Sequence, residues 1–137
     1  MDKDFFEIAN RLGACRLLKG TEDKEDLMRL MLTPQGTEFC TKNSFPSMER
    51  LRDFRGAKAE SLGIYIDTGV ELMNPSKVIL AGSTKAVLSY SGTDQKHNVV
   101  LMYGARAEIR AGNYAVVFVT NAGGEVEIVN DGTALIL

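Results

Sequence analysis

A chain of 137 residues with 45% hydrophobic and 25% charged content is long enough to enclose a packed core as one domain, or as two small segments sharing one. Its 16 Lys and Arg against 18 Asp and Glu give a net charge of −2, which excludes the overall basic balance of a typical nucleic-acid domain. The division is even over residues 1–56 (ten against ten) and slightly acidic over 57–137 (six against eight).

The chain opens Met1-Asp2-Lys3-Asp4, acidic where a secretory signal is basic, and no apolar run approaches membrane-spanning length. The expected location is cytoplasmic, with no membrane partner. Cys15 and Cys40 are the only cysteines, and both are expected to be reduced and buried as small apolar side chains.

Residues 4–19 carry Phe5, Ile8, Ala9, Leu12 and Cys15 at helical spacing, with Gly13 weakening the far end. Gly20 stops this helix, and Thr21 is the expected N-cap of the next. The acids Glu22, Asp23, Glu25 and Asp26 suit that helix's positive N-terminal dipole. Leu27, Met28, Leu30, Met31 and Leu32 supply its buried face. Thr33-Pro34 caps and starts a third helix ending near Asn43, and Phe45-Pro46-Ser47 stops and restarts the chain. Met48, Leu51 and Phe54 form the apolar side of a last helix closed by Gly56, so residues 1–56 read as a helical segment.

Past Gly56 the period changes from helical to alternating, and residues 57–137 read as a repetitive β segment. Residues 62–77 form an irregular first rung. One short unit then recurs at roughly 17 to 21 residues, within the range of solenoid repeats. Each unit opens on an aliphatic triplet: Val78-Ile79-Leu80, Val99-Val100-Leu101, Val116-Val117-Phe118, and finally Leu135-Ile136-Leu137. A small-residue corner follows at Gly82, Gly104 or Gly123, then an alternating strand, then a polar turn.

The pattern predicts an α+β fold: a helical N-terminal half packed on, or capping, a short parallel β-solenoid. An antiparallel sandwich or roll is the alternative. In the solenoid, Val78, Val99, Val116 and Leu135 should stack as one ladder, and Leu88, Ile109 and Ile128 as another. The triplets are apolar on both faces, so the helices are the expected cover of their outer side.

The sequence names no reaction. His97, the only histidine, lies in the polar run Thr93–Asn98 and reads as an exposed turn residue; its functional reading is a general base oriented by Asp94. No nucleophile elbow, paired metal-ligand spacing or phosphate-cradling glycine motif occurs, so no cofactor, metal or catalytic site is expected. Glu108, Glu125 and Glu127 should share an outer strand face with Arg106 and Arg110, as a solvated face. Residues 38–52 resemble a helix-turn-helix, with Ser47 placed for a phosphate and Arg50, Arg52 and Arg55 on the second helix. Ser44 stands where that motif has a glycine, and Glu49 and Asp53 would face the DNA backbone.

The array closes on Leu135-Ile136-Leu137, where open strand edges and an apolar interior invite pairing, as a homodimer interface or beneath the N-terminal helices folding back over them. The sequence therefore points to a non-catalytic, self-associating protein-interaction module, with nucleic-acid binding through Ser47, Arg50, Arg52 and Arg55 as the alternative.

Overall fold

The computed structural model describes residues 3–14, 18, 22–92 and 95–137, with Lys3 and Asp4 placed by backbone alone. Cys15, Gly20, Thr21 and Asp94, each given a role above, lie outside the described residues.

The first helix, α1 (Lys3–Arg11), is shorter than its apolar spacing predicts. The backbone turns at Gly13, whose φ of +100° is costly for any residue with a Cβ. Helix α2 (Lys24–Met31) is capped by Asp23: its side chain accepts from Asp26 N while the Asp26 carboxylate accepts from Asp23 N, a reciprocal capping box. Helix α3 (Pro34–Asn43) begins as the sequence predicts, with Thr33 Oγ1 accepting from Gly36 N and proline in the first turn. The fourth helix is brief: α4 (Met48–Leu51) tightens at once into a 3-10 turn over Arg52–Phe54. A fifth, α5 (Ala57–Leu62), falls inside the segment read as β from the sequence.

Among the described residues nine strands follow, all paired in parallel, which rules out the antiparallel sandwich or roll. They are β1 (Ile64–Ile66), β2 (Gly69–Met73), β3 (Lys77–Ala81), β4 (Lys85–Ser91), β5 (Lys96–Met102), β6 (Arg106–Gly112), β7 (Val116–Ala122), β8 (Glu125–Asn130) and β9 (Leu135–Ile136). Odd strands build one sheet, β1-β3-β5-β7-β9, and even strands the other, β2-β4-β6-β8. Each odd–even pair is one coil of a β-solenoid. The first rung is short: Ile64 pairs with Ile79, whereas Val78 pairs with Val99.

The two sheets read differently because one is covered and the other is not. The even sheet alternates as its sequence does, with Ala86, Leu88, Tyr90, Ala107, Ile109 and Ala111 turned into the coil and charged residues outward. In β3 and β5 both faces are buried. Val78, Leu80, Val99 and Leu101 fill the coil, while Ile79, Ala81, Val100 and Met102 join Ile64 and Ile66 in a second core with the helices. That core takes Phe5 and Ala9 from α1, Leu27, Met28 and Met31 from α2, Cys40 from α3, and then Leu51, Phe54 and Ala59. Doubly apolar strands need this cover.

Beside this shared core, hydrogen bonds at two corners tie the halves together. The Tyr103 hydroxyl, at the corner after β5, donates to the carbonyls of Ser44 and Pro46 beyond α3. Asp67, at the corner after β1, accepts from Ser83 N, Ser83 Oγ and Arg52 Nε. A Cβ on Gly82 (φ +71°) would collide with the Asp67 carboxylate, so glycine is required there.

Ladders follow the register in one case and depart from it in the other. Leu72, Leu88, Ile109 and Ile128 stack as a single interior row, one rung longer than the sequence indicates. The other row does not run Val78-Val99-Val116-Leu135. Val99 pairs with Val119, and Val116 pairs with Lys96 and Leu135. The third triplet enters its strand three residues early.

Candidate functional site

That slip in register decides where His97 goes. It lies in β5 opposite Val117, which in turn pairs with Ile136, so it occupies an interior position of the coil. The side chain is 1% exposed, which corrects its reading as a turn residue. Its ring packs 4.6 Å from that of Tyr90, and Nδ1 lies 2.9 Å from the Pro75 carbonyl oxygen. A carbonyl only accepts, so Nδ1 carries the hydrogen. The Tyr90 hydroxyl is buried without a hydrogen-bond partner among the described residues, and burial pushes its ionisation up. A histidine enclosed this way cannot meet a substrate in solution, and it serves as core.

The residues of the helix-turn-helix resemblance are engaged otherwise than the motif asks. Ser47 Oγ accepts from Arg50 N as the cap of α4. Arg52 Nε sits 2.8 Å from the Asp67 carboxylate, and Arg55 lies beyond the 3-10 turn on an exposed surface. The second helix is four residues long, about one turn, against the several turns that lie in a groove of DNA.

On the outer side of the even sheet the acids and bases share one face, as the alternation predicts. Glu108 stacks on Glu127, and Arg106 on Glu125. Arg106 is 3.3 Å from Glu125, and Arg110 is 2.8 Å from Glu108. Arg106, Arg110 and Glu125 are largely solvated and Glu108 is half-buried, so these pairs contribute little to stability. Among the described residues no group of three or more His, Cys, Asp or Glu is arranged to hold a metal, and no helix is long and apolar enough to cross a membrane. Cys40 is a free thiol, and burial pushes its pKa up to about 12, far from the thiolate a nucleophile needs.

The far end of the coil is different. The interior row that is fully enclosed at Leu88 and Ile109 ends at Ile128, which is 48% exposed. Strand β8 pairs only with β6, and β9 only with β7, which leaves one edge of each open. The helical cover of the odd sheet reaches β1, β3, β5 and, at Ala122, the end of β7, but takes in neither the start of β7 nor β9. There the outward rows are Val116-Leu135 and, one step on, Phe118 beside Leu137, whose N–H and C=O bond to Val117 and Val119. Leu135 is 52% and Leu137 56% exposed, while Ile136 turns inward onto the coil core. Of the residues singled out from the sequence, Leu135, Ile136 and Leu137 are the ones brought together with further apolar neighbours. Phe118 was missed as a member of this surface, whereas the pairing of Val116 with Leu135 was expected from the sequence. The signal for Phe118 was the doubly apolar third triplet, whose outer side the helical core does not reach.

No family model, curated protein or solved structure matches this chain.

Proposed function

We infer that this protein is a non-catalytic interaction module of the cytoplasm that self-associates through the far end of its coil. The observation that carries the reading is the outer face of β7 and β9, where Val116, Phe118, Leu135 and Leu137 continue an apolar sheet surface beyond its helical cover. Large apolar side chains lying together beside unpaired strand edges are what an association surface presents. A second copy is the fitting occupant. A two-fold arrangement sets this patch against itself, and Lys96 lies at its border, 5.9 Å from the Phe118 ring centroid.

Sedimentation equilibrium tests the assignment. Self-association in the micromolar range is expected, and Leu135→Asp combined with Leu137→Asp should abolish it while the circular dichroism of the fold persists. A wild-type protein that stays strictly monomeric at roughly millimolar concentration would overturn the reading. Titration with a random DNA duplex across a salt series tests the alternative role of Ser47, Arg50, Arg52 and Arg55. Affinity falling steeply with salt would transfer the function to that surface.

A further inference from the structure

A groove of about 450 Å³ runs between α3 and the outer face of the odd sheet, beside the edge of the helical cover. Leu32 and Pro34 give it an apolar side; Lys77 and Asn98, neighbours across β3 and β5, give it a polar floor, with Thr120 beyond and Glu38 on the helix wall. Val78 and Val99 point into the coil, so alternation turns Lys77 and Asn98 outward into the groove.

Lys77 is partly buried, and desolvation pushes its ammonium below the ordinary lysine value. Among the described residues no carboxylate lies within ion-pair distance of it, and the Asn98 side-chain amide has no protein partner. A cation that has lost water without gaining a counter-charge is an open position for an anion. Glu38 is exposed and needs no partner, yet it faces the same space. It disfavours a second negative charge on whatever enters.

We propose that this groove binds a small monocarboxylate, with its carboxylate on the Lys77 ammonium and the Asn98 amide N–H and its carbon chain against Leu32 and Pro34. The basic corner elsewhere on the coil is a poorer site. There Arg106 already faces Glu125, and the hydroxyls of Ser83 and Thr84 are spent on Asp67 and on the carbonyls of Tyr65 and Ala81. The groove adjoins the association patch, because Asn98 pairs with Phe118 across β5 and β7, but Lys77 and Asn98 are not among the residues assigned to self-association, and the protein carrying both Leu135→Asp and Leu137→Asp should bind acetate as wild type does.

The test is an amide-shift titration of the full chain with sodium acetate at constant ionic strength. Saturable shifts centred on Lys77, Asn98 and α3 are expected, with affinity on the order of 1 mM for one ion pair and one hydrogen bond. Lys77→Met keeps the aliphatic stem and should remove saturation, whereas Glu38→Gln, an exposed change that leaves the fold intact, should tighten binding a few-fold. Shifts that do not saturate, shifts centred on Lys85 and Arg106, or an affinity unchanged in Glu38→Gln would each overturn it.

Discussion

At the scale of single residues, His97 shows how a side chain's neighbours in sequence can mislead about its neighbours in space. Gln95, Lys96 and Asn98 are polar or charged, so a histidine among them reads as solvated. Lys96 and Asn98 point outward because β5 alternates, and the same alternation turns His97 in, onto Tyr90 and beneath Val117. The consequence is measurable. An exposed histidine changed to alanine alters stability by no more than about 0.5 kcal/mol. His97→Ala in this coil opens a cavity and strips the Pro75 carbonyl of its donor, so a loss of about 2–4 kcal/mol is expected. Urea unfolding would show it as a lower midpoint at unchanged slope, and a midpoint within error of wild type would return His97 to the surface.

At the scale of elements, what was legible in the sequence was what a repeating period can carry. Strand positions, corners at Gly82, Gly104 and Gly123, and the row Leu88-Ile109-Ile128 all follow from alternation and from the physics of stacked coils. Relative register was not legible where one strand offered two equally good aliphatic partners. Val116 and Val119 are both aliphatic, and only the turn between β6 and β7 decides which of them meets Val99. The open association surface was half legible: Leu135 and Leu137 were visible as an apolar end and Val116 as the neighbour of Leu135, but that Phe118 lies beside Leu137 follows only from the pairing seen in the structure. The groove residues Lys77 and Asn98 gave no signal, because their meeting depends on strand pairing and on where α3 lies.

The link between elements is equally a matter of assembly. Arg52 and Asp67 come from a 3-10 turn and a β corner, and Ser83 from the next coil. The backbone N–H of Ser83, with Arg52 second, holds the Asp67 carboxyl below the usual aspartate range. In the unfolded chain the group titrates near 3.9. Below that value the unfolded state binds a proton that the folded state resists, so the stabilisation is complete above about pH 4 and fades as pH falls through the folded pKa. Asp67→Asn keeps a side chain suited to its φ of +50° and can still accept from Ser83, but it loses the charge and the second acceptor that Arg52 Nε uses. At neutral pH it should cost no more than about 1 kcal/mol, since Arg52 is largely solvated. Between pH 5 and pH 2, roughly the window this linkage spans, wild type should lose stability more steeply than the variant. The acid slope does not vanish, because Asp131, bonded to Thr133, and Glu25, bonded to Arg29, are also held low. Equal slopes would mean that Asp67 is not the strap between the halves.

At the scale of the whole molecule, two cores share one sheet, and this sets how stability is distributed. Strands β3 and β5 are buried on both faces, so the helices and the near coils should unfold together; β8 and β9 have an open edge and exposed side chains. In a stack where each coil touches only its neighbours, the coil lacking one neighbour opens first. Native-state hydrogen exchange should therefore run as a gradient, with β3 and β5 amides exchanging only through global unfolding and β8 and β9 amides through local opening. Self-association adds a second variable that fraying alone does not have. A partner on β7 and β9 stabilises that end by mass action, so β9 protection should rise with protein concentration while β3 and β5, already limited by the global reaction, gain only the same increment on their larger barrier. In the protein carrying both Leu135→Asp and Leu137→Asp, the gradient should remain and its concentration dependence should disappear. Protection of β9 that is independent of concentration in wild type would leave the frayed end as a property of the coil and remove it as an interface.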